Sequence, residues 1–232
     1  MFSRLQNWFG NGWMGIADLL MTLLCVLLSL SIHEFAHGYA AYKLGDNTAK
    51  YMGRLNLKPT SHLDPIGALC LFLFGFGWAR PVPVNPNNFK QGKRKSGMVI
   101  TSLAGPAGNL VMAFVSMLII RVIAMAYGKL SDVPRIAETA LVLLVTTLNI
   151  LISMNISLAV FNLIPIPPLD GSKILNAVLP AKIYFKIMQY EQYGFIILII
   201  LLNLPVFDRL LYFLVNGIYG AFNWVLNLIP FL

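Results

Sequence analysis

The sequence predicts an all-α polytopic membrane protein. It would have a three-span core, one or two C-terminal spans, and a small β-hairpin or re-entrant segment after the first span. Three observations carry this. First, the 232 residues are 58% apolar and only 11% charged, whereas soluble domains hold about 25% charged residues. Second, several apolar runs reach the ~20 residues a helix needs to cross the hydrocarbon core. Third, prolines and short polar clusters separate these runs, and no long polar stretch offers a separate soluble unit. Residues 1–232 therefore read as a single integral membrane domain.

Residues 1–11 are mildly amphipathic (Phe2, Leu5, Trp8, Phe9) and suit the membrane interface. The first span runs from about Trp13 to Lys43. No small-residue cleavage site follows its apolar core, so it reads as an uncleaved span rather than a signal peptide. Residues 51–58 partly alternate polar and apolar, as a strand does. Residues 79–84 (Ala-Arg-Pro-Val-Pro-Val) are extended by Pro81 and Pro83, which lack N–H donors and suit only an edge strand. Between them, 66–78 is apolar but short, as a re-entrant segment would be.

The second span runs from about Gly97 to Tyr127. Its stretch Gly105-Pro106-Ala107-Gly108-Asn109 permits close helix packing. A short outer loop, 129–135, leads to a third span from about Ile136 to Ile164, stopped by Pro165, Pro167 and Pro168. A cytoplasmic segment follows, about 171–191. The last 40 residues break at Asn203-Leu204-Pro205 and Asp208-Arg209. They read either as two short spans (193–204 and 208–230) or as one kinked span with an interfacial helix.

The net charge is +8, and nine of the 17 Lys and Arg residues lie between Lys43 and Lys95. In a membrane protein this bias sets topology rather than marking a nucleic-acid partner, and it places 43–95 in the cytoplasm. Lys90, Lys93, Arg94 and Lys95 suit anionic headgroups of the bilayer. Cys25 and Cys70 lie in apolar runs and form no disulfide framework.

The first apolar run ends in His33-Glu34-Phe35-Ala36-His37, an H-E-x-x-H motif. On a helix, positions i and i+4 share a face, so both imidazoles can bind one Zn²⁺ with Glu34 beside the metal's water. A catalytic zinc usually takes three protein ligands. No Glu occurs between Glu34 and Glu138, so a downstream glutamate is excluded as the third. Asp46 follows Gly45 in a polar turn and reads as solvated surface. His62 and Asp64 lie in Ser-His-Leu-Asp-Pro, where Asp64 suits a turn. Asp170 follows three prolines near a membrane boundary, where an ionisable residue is costly and marks a candidate site. On the residues alone, metal ligand and helix N-cap stand even for Asp170.

Three motifs together resemble the site-2 proteases, which are intramembrane zinc metalloproteases. They are His33-Glu34-x-x-His37, Gly105-Pro106-x-Gly108-Asn109, and Asn162-x-x-Pro165-x-x-x-Leu169-Asp170-Gly171. The resemblance covers roughly residues 15–175, and the chain resembles compact members without PDZ or CBS domains. It implies one zinc per chain held by His33, His37 and Asp170, with Glu34 as general base and Asn162 near the substrate. It further implies a zinc endopeptidase that cuts transmembrane segments of single-span proteins or remnant signal peptides in regulated intramembrane proteolysis. Such a protein would be multi-pass in a bacterial-type cell membrane, with its active site facing the cytoplasm; a homo-oligomer is compatible. A transmembrane substrate helix must unwind before cleavage, and the edge at 79–84, through Val82 and Val84, is a candidate to hold it by β-augmentation. The alternative is a non-proteolytic membrane metal-binding or transport protein. A transporter would be expected to show repeated halves, and none is visible. Asp18 and Arg121 receive no role.

Overall fold

The structure, a computed structural model, describes residues 12–67, 79–90, 92, 94–127 and 134–229. Among the described residues three helices are long and apolar enough to cross a membrane: α1 (Gly12–Lys43), α4 (Arg94–Tyr127) and α5 (Arg135–Asn162). They match the three expected core spans to within about three residues, and Pro134 and Pro165 bound the third. Between α1 and α4 lie two single-turn helices, α2 (Thr48–Tyr51) and α3 (Pro59–His62), and a 3-10 turn at Pro86–Asn88. After α5 come α6 (Asp170–Val178), α7 (Ala181–Met188), α8 (Glu191–Leu202) and α9 (Pro205–Asn227).

α1, α4 and α5 pack mutually. Cys25 of α1 meets Leu148 and Leu151 of α5 in one buried cluster. Ala113 and Met117 of α4 join Ile152, Ile156 and Val160 of α5 in a second, which Leu226 of α9 completes. The Phe114 and Phe222 rings add a T-shaped contact with centroids 5.3 Å apart. Small residues let α4 approach the motif turn of α1. A Cβ on Gly108 would lie 2.9 Å from the Ala36 Cβ, closer than real Cβ atoms come. In lipid, close van der Waals packing of this kind replaces the hydrophobic drive of a soluble core.

Of the two C-terminal breaks expected, the one at Asn203-Leu204-Pro205 is present, whereas Asp208-Arg209 lies inside α9 and does not interrupt it, because both residues sit in the first turns of a helix that Pro205 has already started. Leu204 precedes Pro205 at the first turn of α9, and α8 bends 56° from α7.

The segment after α1 departs from the strand expected over 51–58. Gly53 adopts φ +64°. The Asn56 side chain donates to the Gly53 carbonyl (2.6 Å) and accepts from the Lys58 N–H (2.8 Å). Pro59 then starts α3. These local side-chain bonds and the N1 proline outweigh a weak alternation. Among the described residues no strand forms; one antiparallel bridge joins Leu63 to Ala79. Most of the re-entrant stretch 66–78 lies outside the described residues, as do Cys70, the interfacial 1–11 and loop residues 129–133.

Candidate metal centre

His33 and His37 sit one turn apart on the buried face of α1, and their Nε2 atoms lie 3.0 Å from each other. Asp170 reaches the same point from another part of the chain. Pro165, Pro167 and Pro168 end the α5 path, and α6 begins at Asp170 itself. Its Oδ2 lies 3.0 Å from His33 Nε2 and 2.9 Å from His37 Nε2. Its Oδ1 accepts from Lys173 Nζ at 3.0 Å. The N-cap position of α6 is Leu169, and the Asp170 carboxylate turns to the imidazoles rather than to the helix N–H groups. Burial alone would raise its pKa, but the two imidazoles and the Lys173 charge hold it well below the usual carboxylate range.

The hydrogen bonds fix how each ring presents itself. His37 Nδ1 faces the Thr101 carbonyl at 2.7 Å. A carbonyl only accepts, so Nδ1 carries the hydrogen and Nε2 keeps a lone pair. His33 Nδ1 faces Asn109 Oδ1 at 2.6 Å. Asn109 Nδ2 is committed as donor to the Ser29 carbonyl (3.1 Å) and Asn155 Oδ1 (2.7 Å), which turns its oxygen toward the ring. Asn155 Nδ2 is committed in turn to Ser29 Oγ and the Leu151 carbonyl, both at 2.8 Å. A relay through α1, α4 and α5 thus sets the His33 tautomer. Second partners of this kind orient metal-binding imidazoles and raise their basicity.

With both rings neutral, as metal binding requires, the Nδ1 contacts leave each Nε2 as the lone-pair nitrogen, and three candidate ligand atoms converge. Tetrahedral zinc with ligands at ~2.0–2.1 Å needs donor spacings of about 3.3 Å, and the spacings here are 2.9–3.0 Å. The donor set fits zinc. His33, His37, Glu34 and Asp170 are all at least nine-tenths buried. Gly105 of α4 lies against the two rings. A Cβ there would come within 2.7 Å of His33 Cε1 and closer still to His37.

Glu34 faces the extended segment after residue 79, where the Val82 N–H donates to its Oε2 at 2.7 Å. Val84 lies two residues further on, partly buried, outside this contact. Asn162 Nδ2 donates to the Leu158 carbonyl of its own helix at 3.0 Å. His62 is buried elsewhere, with Nε2 2.8 Å from the Asn56 carbonyl. Asp64 accepts from the Gly67 N–H at 2.8 Å, as a turn former does. Asp46 differs from its expected solvated position. It is 1% exposed and accepts from the Thr48 N–H and hydroxyl, the Asn85 N–H and Asn88 Nδ2.

Reading the motifs alone passed over Asn155, Ser29 and the Thr101 carbonyl, and valued Asn109 only for packing. The available signal was two amides, Asn109 and Asn155, inside apolar spans, where polar groups need partners.

The model of peptidase family M50 matches residues 21–203. "Putative zinc metalloprotease YwhC" of Bacillus subtilis (strain 168) is 40% identical over 195 residues, 84% of this chain and 85% of its own. "Putative zinc metalloprotease Rip2" of Mycolicibacterium smegmatis is 30% identical over 193 residues, 79% of this chain and 66% of its own. The Rip2 protein of Mycobacterium tuberculosis (strain H37Rv) is 27% identical over 208 residues, 87% of this chain and 71% of its own. No solved structure matches. With the matched region spanning the H-E-x-x-H helix, all three long apolar helices and Asp170, the chain belongs to peptidase family M50, the site-2 proteases, as an integral membrane zinc metalloprotease.

Proposed function

We propose that this protease hydrolyses peptide bonds within transmembrane segments of single-span proteins or remnant signal peptides, in regulated intramembrane proteolysis. His33, His37 and Asp170 hold the zinc, and Glu34 is the general base. The carrying observation is the convergence of three candidate ligand atoms, 2.9–3.0 Å apart, where Asp170 meets the buried face of a membrane-spanning helix. A site so enclosed by spans meets a substrate that shares the bilayer.

Zinc, when bound, lowers the pKa of its water and polarises the scissile carbonyl. The protein's own groups do the rest. The Thr101 carbonyl and Asn109 hold both rings with Nε2 bare. Val82 N–H occupies Glu34 Oε2, which leaves Oε1 to take the proton from the attacking water and deliver it to the leaving amine. Val84 N–H and the carbonyls of 82–84 offer an unwound substrate an edge to pair with. Asn162 joins substrate binding once its amide leaves the Leu158 carbonyl.

The concentration of Lys and Arg in 43–95 supports a cytoplasm-facing site. Exposed Ile196, Ile200, Phe213 and Trp224 support α8 and α9 as lipid-facing elements beyond the three core spans. The test is cleavage of a panel of fluorescent single-span reporters in detergent, with products mapped by mass spectrometry. Wild type is expected to cut inside the apolar segment and Glu34→Gln not to cut. Cuts confined to the polar flanks, or equal cutting by Glu34→Gln, would refute the reading.

A further inference from the structure

The Val82 contact raises a question of support, because residues 79–90 form no strand ladder. Of residues 81–83 only Val82 carries an N–H, and its flanking prolines fix φ on either side. The segment is a stiff strap laid across α1, with the Val82 side chain over Gly38. Its two ends are held differently. At the first end, Arg80 N–H donates to the His62 carbonyl at 2.8 Å, and Arg54 Nη2 donates to the Arg80 carbonyl at 2.8 Å. At the second end, Asn85 N–H donates to Asp46 Oδ2 at 2.7 Å, and Asn88 Nδ2 donates to Asp46 Oδ1 at 2.9 Å. Lys90 N–H closes onto the Leu44 carbonyl at 3.0 Å.

We propose that Asp46 is a positioning residue for Glu34. It pins the strap at Asn85 and Asn88, so that the Val82 N–H stays on Glu34 Oε2 and orients the carboxylate. This rests on the reading of Glu34 as general base. Only four residues lie between the Arg80 and Asn85 anchors, and Val82 is one of them. Extended backbone advances about 3.3 Å per residue, so so short a span has little slack to absorb a shift at Asn85. An aspartate is needed because four donors divide between both of its oxygens. An asparagine offers one acceptor oxygen. If that oxygen serves Thr48 and Asn88, its NH₂ meets the Asn85 N–H donor to donor.

The test compares wild type, Asp46→Asn and Asn88→Ala in detergent with zinc bound. Four quantities are read: hydrogen–deuterium exchange over 80–90, zinc per chain, and kcat and KM on the best-cleaved single-span reporter. Asp46→Asn is expected to lose protection over 80–90 while α1 and α4 keep theirs and zinc stays bound. Its kcat should fall on the order of 10- to 100-fold, as misplacement by ~1 Å does, with KM changed far less. Asn88→Ala, which loses one donor, should change in the same direction by less. Lost protection with unchanged kcat would overturn the proposal, as would unchanged protection in Asp46→Asn. Loss of zinc in Asp46→Asn would also overturn it, by making Asp46 a residue that only holds the fold. Cleavage by Glu34→Gln at the wild-type rate would refute the general-base reading instead, and exchange would still decide whether Asp46 holds Val82.

Discussion

Asn109→Ala is the perturbation whose cost follows most directly from the geometry. The amide makes three buried hydrogen bonds, to His33 Nδ1 (2.6 Å), the Ser29 carbonyl (3.1 Å) and Asn155 Oδ1 (2.7 Å). The residue is 0% exposed, so water does not replace it readily. Truncation leaves the His33 Nδ1–H without an acceptor and the ring free to change tautomer or rotate. Loss of such a second partner typically costs 10–100-fold in metal affinity, about 1.4–2.8 kcal/mol. Asn155→Ala should cost less, because Asn109 keeps its bonds to His33 and Ser29. The assay is competition of the purified protein against a zinc chelator of known affinity. Zinc affinities of Asn109→Ala and wild type within twofold of each other, with the helical content intact, would refute the assignment of Asn109 as the residue that fixes His33.

Other expectations follow from the same contacts. Gly105→Ala drives a methyl group into both imidazoles, so it should lower stability by about 1–3 kcal/mol and strip zinc, read by thermal melting and metal analysis. Lys173→Ala removes only the contact to Asp170 Oδ1 from a side chain that is 42% exposed; zinc affinity should stay within about threefold. Asp46 is pushed up by burial but held below the ordinary carboxylate range by its bonds from Thr48, Asn85 and Asn88. A depressed folded pKa adds stability that is complete above the unfolded value near 3.9 and is lost as pH falls through the folded one. The stability gap between wild type and Asp46→Asn should thus be full above about pH 5 and shrink below about pH 4, as read by denaturation at each pH.

The three long helices were readable because apolar length is a local signal and prolines mark where it stops. The H-E-x-x-H pair was readable because helical spacing alone brings i and i+4 together. Asp170 was not resolved by its residues, since a proline-flanked Asp before Gly suits a cap as well as a ligand; only the fold, across 137 residues to His33, turns its carboxylate. The Asn109–Asn155–Ser29 relay is likewise long-range, joining residues 46 to 126 apart. Asp46 looked solvated because Gly45-Asp46-Asn47 has the composition of a surface turn. Its burial comes from the strap at 85–88, which composition does not reveal. The alternation over 51–58 misled because eight residues are too few to outweigh Gly53, Asn56 and Pro59.

The most direct test of the centre is zinc per chain, measured with reporter cleavage in the same detergent preparations of wild type, Glu34→Gln and Asp170→Ala. The expected result is near one zinc in wild type and Glu34→Gln, loss of zinc in Asp170→Ala, and cleavage by wild type alone. Equal zinc in all three, or cleavage by Glu34→Gln at the wild-type rate, would contradict the assignment of His33, His37 and Asp170 as ligands and Glu34 as base.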